Sequence, residues 1–217
     1  SLAALNSSQI RALSNEQLVS LTSTQLAGLT TRALSSLSTA QLANLSSTQM
    51  ANLTSRAITA FSTLQIASLT TLQVSSLSST SVQALSAAQL AAMETADLAV
   101  LSSTNLAALS SAQLKGLTTT QLSGLSTTAL SQVSTGALAG LNSAQMASLT
   151  TTQVAGLTSA AVRALGTTQL AAMETADVAV LNSTNLAALS SVQVQALTTA
   201  QIVGLTDTQI TNMNTVT

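Results

Sequence analysis

The chain has 217 residues, 46% of them hydrophobic and only 5% charged, and its net charge is −1. Five scattered Lys and Arg residues exclude electrostatic nucleic-acid binding, which needs basic side chains clustered. The absence of His and Cys leaves the many Ser and Thr hydroxyls without a base to activate them, so no enzyme activity is expected, and so hydrophobic a chain is not a disordered one.

The first octad already carries the whole pattern. Counting in eights from Leu2, all 27 positions to Ile210 are Leu, Ile, Val or Met. Counting in eights from Leu5, all 27 positions to Met213 are Leu, Met, Val or Phe. An unbroken register of this kind marks a repeat architecture. Each unit opens with Ser, Thr or Asn, except at Glu94, Gly166 and Glu174, and most place Gln three residues later, as in Thr22 and Gln25. Ser/Thr-x-x-Gln is the capping box: the hydroxyl accepts from the third backbone N–H of a new helix, and the Gln side chain reaches back to the cap N–H. Leu21 and Leu26 flank that cap with the spacing of a hydrophobic staple. A cap one residue later also fits the hydroxyl pattern, but box and staple agree on the earlier register.

The next Ser/Thr pair competes with the helix for backbone hydrogen bonds and ends it. The pattern therefore predicts helices of one and a half to two turns, too short to be stable alone. They must stack. The two apolar positions lie three apart, on one helical face. Small pairs such as Ala27-Gly28 and Ala155-Gly156 predict close approach of neighbouring helices. Glu16, Arg32 and Arg56, just before the Gln position, and Arg11, Lys115 and Arg163, just after the first apolar one, should face solvent.

Along the chain, Gln gives way to Ala33, Ala57, Ser81, Asn105 and Ala129 at 24-residue intervals. Ala137, Ala161 and Asn185 repeat the interval in a shifted frame. Three octads per superhelical turn would produce that spacing. Residues 86–125 and 166–205 align at 28 of 40 positions, and both copies hold Gln-Leu-Ala-Ala-Met-Glu-Thr-Ala-Asp. No linker divides residues 1–217, so one continuous solenoid is expected. No apolar run reaches the roughly 20 residues of a membrane span.

The expected fold is all-α: a solenoid of very short helices, one per octad, about three octads per turn. The alternative is a β-solenoid. Strand faces alternate with period two, however, so residues three apart would point to opposite faces.

Two acidic pairs are the only metal candidates: Glu94 with Asp97, and Glu174 with Asp177. A Ca²⁺ site takes six to eight oxygens, so two carboxylates read better as a variant capping box, Glu for Ser and Asp for Gln. No catalytic residue, metal or cofactor is assigned. The five Met residues occupy apolar phases and read as core filler. Four sequons, at Asn6, Asn44, Asn52 and Asn182, are short matches in a chain rich in Ser and Thr.

Units such as Leu-Thr-Ser-Thr-Gln-Leu-Ala-Gly-Leu (residues 21–29) and Leu-Thr-Thr-Thr-Gln-Val-Ala-Gly-Leu (149–157) resemble the octad arrays of large secreted bacterial exoproteins of the haem-utilisation and adhesion type. The resemblance covers essentially the whole chain and implies an extracellular or cell-surface location. Haem itself finds no ligand set, with neither His nor Cys present. The expected role is structural: a surface fibre or filament, a head-to-tail homopolymer whose partner is another copy of itself. An adhesin stalk meeting glycan or another surface is the alternative, and ice binding on the Ser/Thr rows a third.

Overall fold

The computed structural model describes residues 4–213. Among them stand 26 short helices and no strand, from α1 (Ser7–Arg11) to α26 (Asp207–Asn212). The fold is the all-α solenoid, and the β-solenoid alternative falls: the segments that would be its strands are helical turns started by side-chain caps.

The helices run four to six residues, somewhat shorter than the spacing predicts. Each starts at the earlier of the two cap registers. Thr22, extended at φ −66 and ψ 156, accepts from Gln25 N through its hydroxyl, and Gln25 Oε1 takes the Thr22 N–H at 2.8 Å. The helix tightens as it ends, the Leu29 N–H bonding to Leu26 O at 3.1 Å across three residues rather than four. The next cap then sits in extended backbone, which is why the helix stops early. No described residue has positive φ, glycine included. The chain thus turns its corners without a left-handed helix end.

The chain divides into two compact units, Ser1–Ala108 and Leu109–Thr217. In the first, α4 (Thr31–Ser35), α7 (Ser55–Ala60), α10 (Ser79–Ala84) and α13 (Ser103–Ala107) stack in one column. In the second, α14 (Ser111–Gly116), α17 (Thr135–Leu138), α20 (Ser159–Ala164), α23 (Ser183–Ala187) and α26 do the same. A helix therefore packs on the one three octads along. Three octads make a turn within each unit, as the regular departures from Gln imply. Those departures trace one column in each unit, Ala33, Ala57, Ser81 and Asn105 in the first and Ala137, Ala161 and Asn185 in the second, while Ala129, on α16 (Thr127–Gln132), stands in another column.

Both apolar phases point inward. Leu26, Leu42, Leu114 and Leu122 are fully buried, and second-phase residues such as Leu45, Phe61 and Leu117 are nearly so. Met50, Met93, Met146 and Met173 are buried among them. The six charged side chains expected to face solvent are all exposed. The small positions need their size at a few places. A Cβ on Gly156 would collide with Thr127 Cγ2, and one on Gly204 with Thr175 Cγ2, in each case on the turn below. No described helix is long and apolar enough to cross a membrane.

Candidate functional site: the glutamine ladder

The chemistry of this molecule is concentrated at the Gln three residues past each cap. In the capping box its Oε1 accepts the cap N–H. The structure gives its amide hydrogens a second task. Gln41 Nε2 donates to Ile10 O, Arg11 O and Leu13 O at 3.2, 3.2 and 2.9 Å. Gln49 repeats the set on Leu18 O, Val19 O and Leu21 O. Gln153 does so on Leu122 O, Ser123 O and Leu125 O at 2.9, 3.3 and 2.7 Å. These carbonyls end a helix 28 to 31 residues earlier, where intrahelical partners run out. One side chain thus caps the N-terminus of its own helix and the C-terminus of a helix in the turn below.

Burial follows. Gln73, Gln145, Gln153 and Gln201 are each only 2% exposed, deep for so polar a side chain, and every polar end is bonded. Among the described residues no buried side-chain N or O lacks a partner. The sequence reading assigned Gln only its capping half and missed the bridge. The signal was present: a capping box accepts Glu as readily as Gln, and negative charge suits a helix N-terminus. Yet this position holds Gln sixteen times between residues 9 and 209 and Glu never. A position that takes Gln so often and Glu never favours a side chain with a donor.

Shorter residues complete or interrupt the ladder. Ser81 Oγ reaches Leu53 O, Asn105 Nδ2 reaches Leu77 O, and Asn185 Nδ2 reaches Leu157 O, all at 3.0 Å. Ala33, Ala57, Ala129, Ala137 and Ala161 supply no donor. On the outer face, Ser23, Ser55 and Ser111 bond carbonyls 25 residues ahead, at Thr48, Thr80 and Gly136.

The acidic pairs fall in the same slot, one in each unit, and neither gathers further ligands. Asp97 is 2% exposed and Asp177 1%. Asp97 Oδ2 accepts the Glu94 N–H at 3.2 Å, and Asp177 Oδ2 the Glu174 N–H at 3.1 Å. The other half of the expected box departs from the reading: the Glu94 and Glu174 side chains make no cap hydrogen bond. Both are exposed, and the first-turn N–H groups of Asp97 and Asp177 bond to the glutamates' backbone carbonyls at 3.0 Å instead. Burial raises the pKa of Asp97 and of Asp177, against the lowering effect of the cap N–H bond; the neighbouring glutamate charge adds to the rise. Glu16 is lowered by its hydrogen bond from Ser14 Oγ, 2.8 Å long, and by its own backbone N–H. No cluster of three or more His, Cys, Asp or Glu occurs among the described residues. The sequon asparagines are all exposed and all bonded. Asn6 and Asn182 cap helices, while Asn44 and Asn52 donate to Ala40 O and Thr48 O.

The sequence profile of a family described as "ALTTAQ repeat" matches residues 2–31, 90–127, 170–207 and 178–215, more than half of the chain. No curated protein matches it significantly.

Proposed function

As the chain belongs to the ALTTAQ repeat family, we propose that it is a non-enzymatic structural repeat protein that assembles end to end with further copies of itself into an extracellular or cell-surface fibre. The observation that carries this reading is the ladder itself, in which a Gln on one turn donates to carbonyls of the turn below, a contact that another copy of the same repeat can make in the same way. Gln9, Gln17 and Gln25, in the first turn, are exposed; each Oε1 holds its own cap N–H, while Nε2 donates to nothing among the described residues. Repeating one head-to-tail contact without closure gives a filament.

The surface location rests on the likeness of the octads to arrays in secreted exoproteins. The test is sedimentation and negative-stain microscopy of the whole chain over rising concentration, beside a Gln9→Glu, Gln17→Glu, Gln25→Glu triple variant. Concentration-dependent filaments in the parent and monomers of unchanged Tm in the variant are expected. Monodisperse parent monomers at high concentration would overturn the reading. A second reading, an adhesin stalk that binds glycan, draws on exposed hydroxyls such as Thr24, Thr80 and Thr128. A glycan array without hits removes its support.

A further inference from the structure

The ladder slot is built for a hydrogen-bond donor. Gln153 Nε2, Ser81 Oγ, Asn105 Nδ2 and Asn185 Nδ2 all send a hydrogen to the carbonyl 28 residues earlier, at 2.7 to 3.0 Å. Two slots hold aspartate, and a carboxylate has no hydrogen to give. Asparagine has the same side-chain length as aspartate. Asp97 occupies the same slot with one oxygen on the cap N–H, and the 28-residue register that pairs Asn105 with the Leu77 carbonyl pairs this slot with the carbonyl of Leu69. Asp177 stands in the same relation to Leu149. Ionised, each aspartate brings only acceptors to a donor's slot in residues 2% and 1% exposed, and a buried carboxylate costs free energy that a shared proton would relieve.

We propose that Asp97 and Asp177 are proton-binding sites: each carboxyl takes up one proton from solvent and donates it as O–H to the carbonyl of Leu69 or Leu149, closing a rung of the ladder in acid and opening it at neutral pH. The block that carries the aspartate is the duplicated one, at 89–97 and 169–177, so the chain holds one such site per unit.

The surroundings leave little else to set the titration. Asp97 lies on α12 (Thr95–Ala99), which packs on α9 (Thr71–Ser75), and its slot meets the end of α8 (Thr63–Ala67). Neither of those helices, nor α11 (Ala87–Ala91) just before, carries a charge, which leaves Glu94 facing it. Asp177 lies on α22 (Thr175–Ala179), packed on α19 (Thr151–Ala155) and α25 (Thr199–Val203), with its slot at the end of α18 (Ser143–Ala147). None of these three is charged; Glu174 faces it, and Asp207 begins α26, whose Gln209 bonds Ala179 O and Leu181 O. The raised carboxyl pKa values agree in direction. A raised value in the fold means that this stability is fully present below the ordinary aspartate range and is lost as pH climbs through the raised value.

The test is thermal unfolding of the parent and of an Asp97→Asn, Asp177→Asn variant between about pH 4 and pH 8. Asparagine supplies a permanent donor of the same shape. The parent's Tm is expected to fall by a few degrees toward pH 8, while the variant holds a flatter profile and melts above the parent there. A variant with the parent's slope, or one less stable at every pH, would overturn the proposal. So would a rise in the parent's Tm at pH 8 on adding calcium or sodium that the variant lacks, because the carboxylates would then be cation ligands. Carboxyl-carbon NMR gives a second readout. Midpoints for Asp97 and Asp177 above the ordinary value of about 3.9 are expected, and midpoints at or below it contradict the assignment.

Discussion

Gln25 and Gln153 sit in nearly the same octad, Thr-Ser-Thr-Gln-Leu-Ala-Gly against Thr-Thr-Thr-Gln-Val-Ala-Gly, and both close a capping box. Gln25 is exposed, in the first turn of its unit; Gln153 is 2% exposed and donates to three carbonyls below. The local sequence is the same, so the difference belongs to the turn beneath. The capping box makes the helix. The second use of the same side chain joins helices into a solenoid. The burial of the Gln is thus a consequence of stacking rather than a property of the octad.

The largest effect that would break this comparison comes from phase. Deleting Gly116 alone should abolish the cooperative urea transition or shift it drastically, because every later cap and apolar residue slips by one position. Deleting 116–123 keeps the octad phase but moves each later helix one column round, and should be milder. Deleting 116–139, three whole octads, restores the columns and should be mildest. Equal damage from all three would contradict a three-octad turn.

Next in size is the core. Leu117→Ala, at a nearly buried position, should cost about 2–5 kcal/mol in denaturant unfolding. The equivalent Leu21→Ala, only half-buried in the first turn, should cost less than half of that. Gln153→Glu tests the ladder directly. It keeps the capping oxygen and replaces the donor with a buried acceptor, at a cost of about 2–4 kcal/mol. Gln153→Ala should be cheaper than Gln153→Glu, since Ala161 and Ala137 show that the slot tolerates a methyl group. Thr150→Ala removes the hydroxyl that accepts from Gln153 N at 3.2 Å and should cost about 1 kcal/mol. Smallest of all, Gln25→Glu should stay within about 0.5 kcal/mol of the parent.

Much of this architecture is legible in the chain because it is local. The period of eight, the cap register, the staple and the inward phases follow from Thr22, Gln25, Leu26 and Leu29 alone. The three-octad turn shows through Ala33, Ala57, Ser81 and Asn105, because the column they form recurs at every third octad. What stayed hidden is the contact across turns. An eight-residue period says that Gln41 resembles Gln49, but not that Gln41 reaches Leu13. The Glu94 pair was misread in part for a related reason. Serine and glutamate both carry acceptors, yet the longer glutamate side chain remains in solvent, and only Asp97 completes its half of the box. The helices also came out shorter than expected, since the extended cap residue claims the place where a second turn would have closed.

Hydrogen exchange of glutamine side-chain amides, resolved by NMR, tests the bridging role most directly. The Nε2 hydrogens of Gln153 should exchange slowly, at a rate set by unfolding, while those of Gln25 exchange as fast as in a free peptide. Equal, fast exchange at both residues would mean that the amide does not hold one turn to the next.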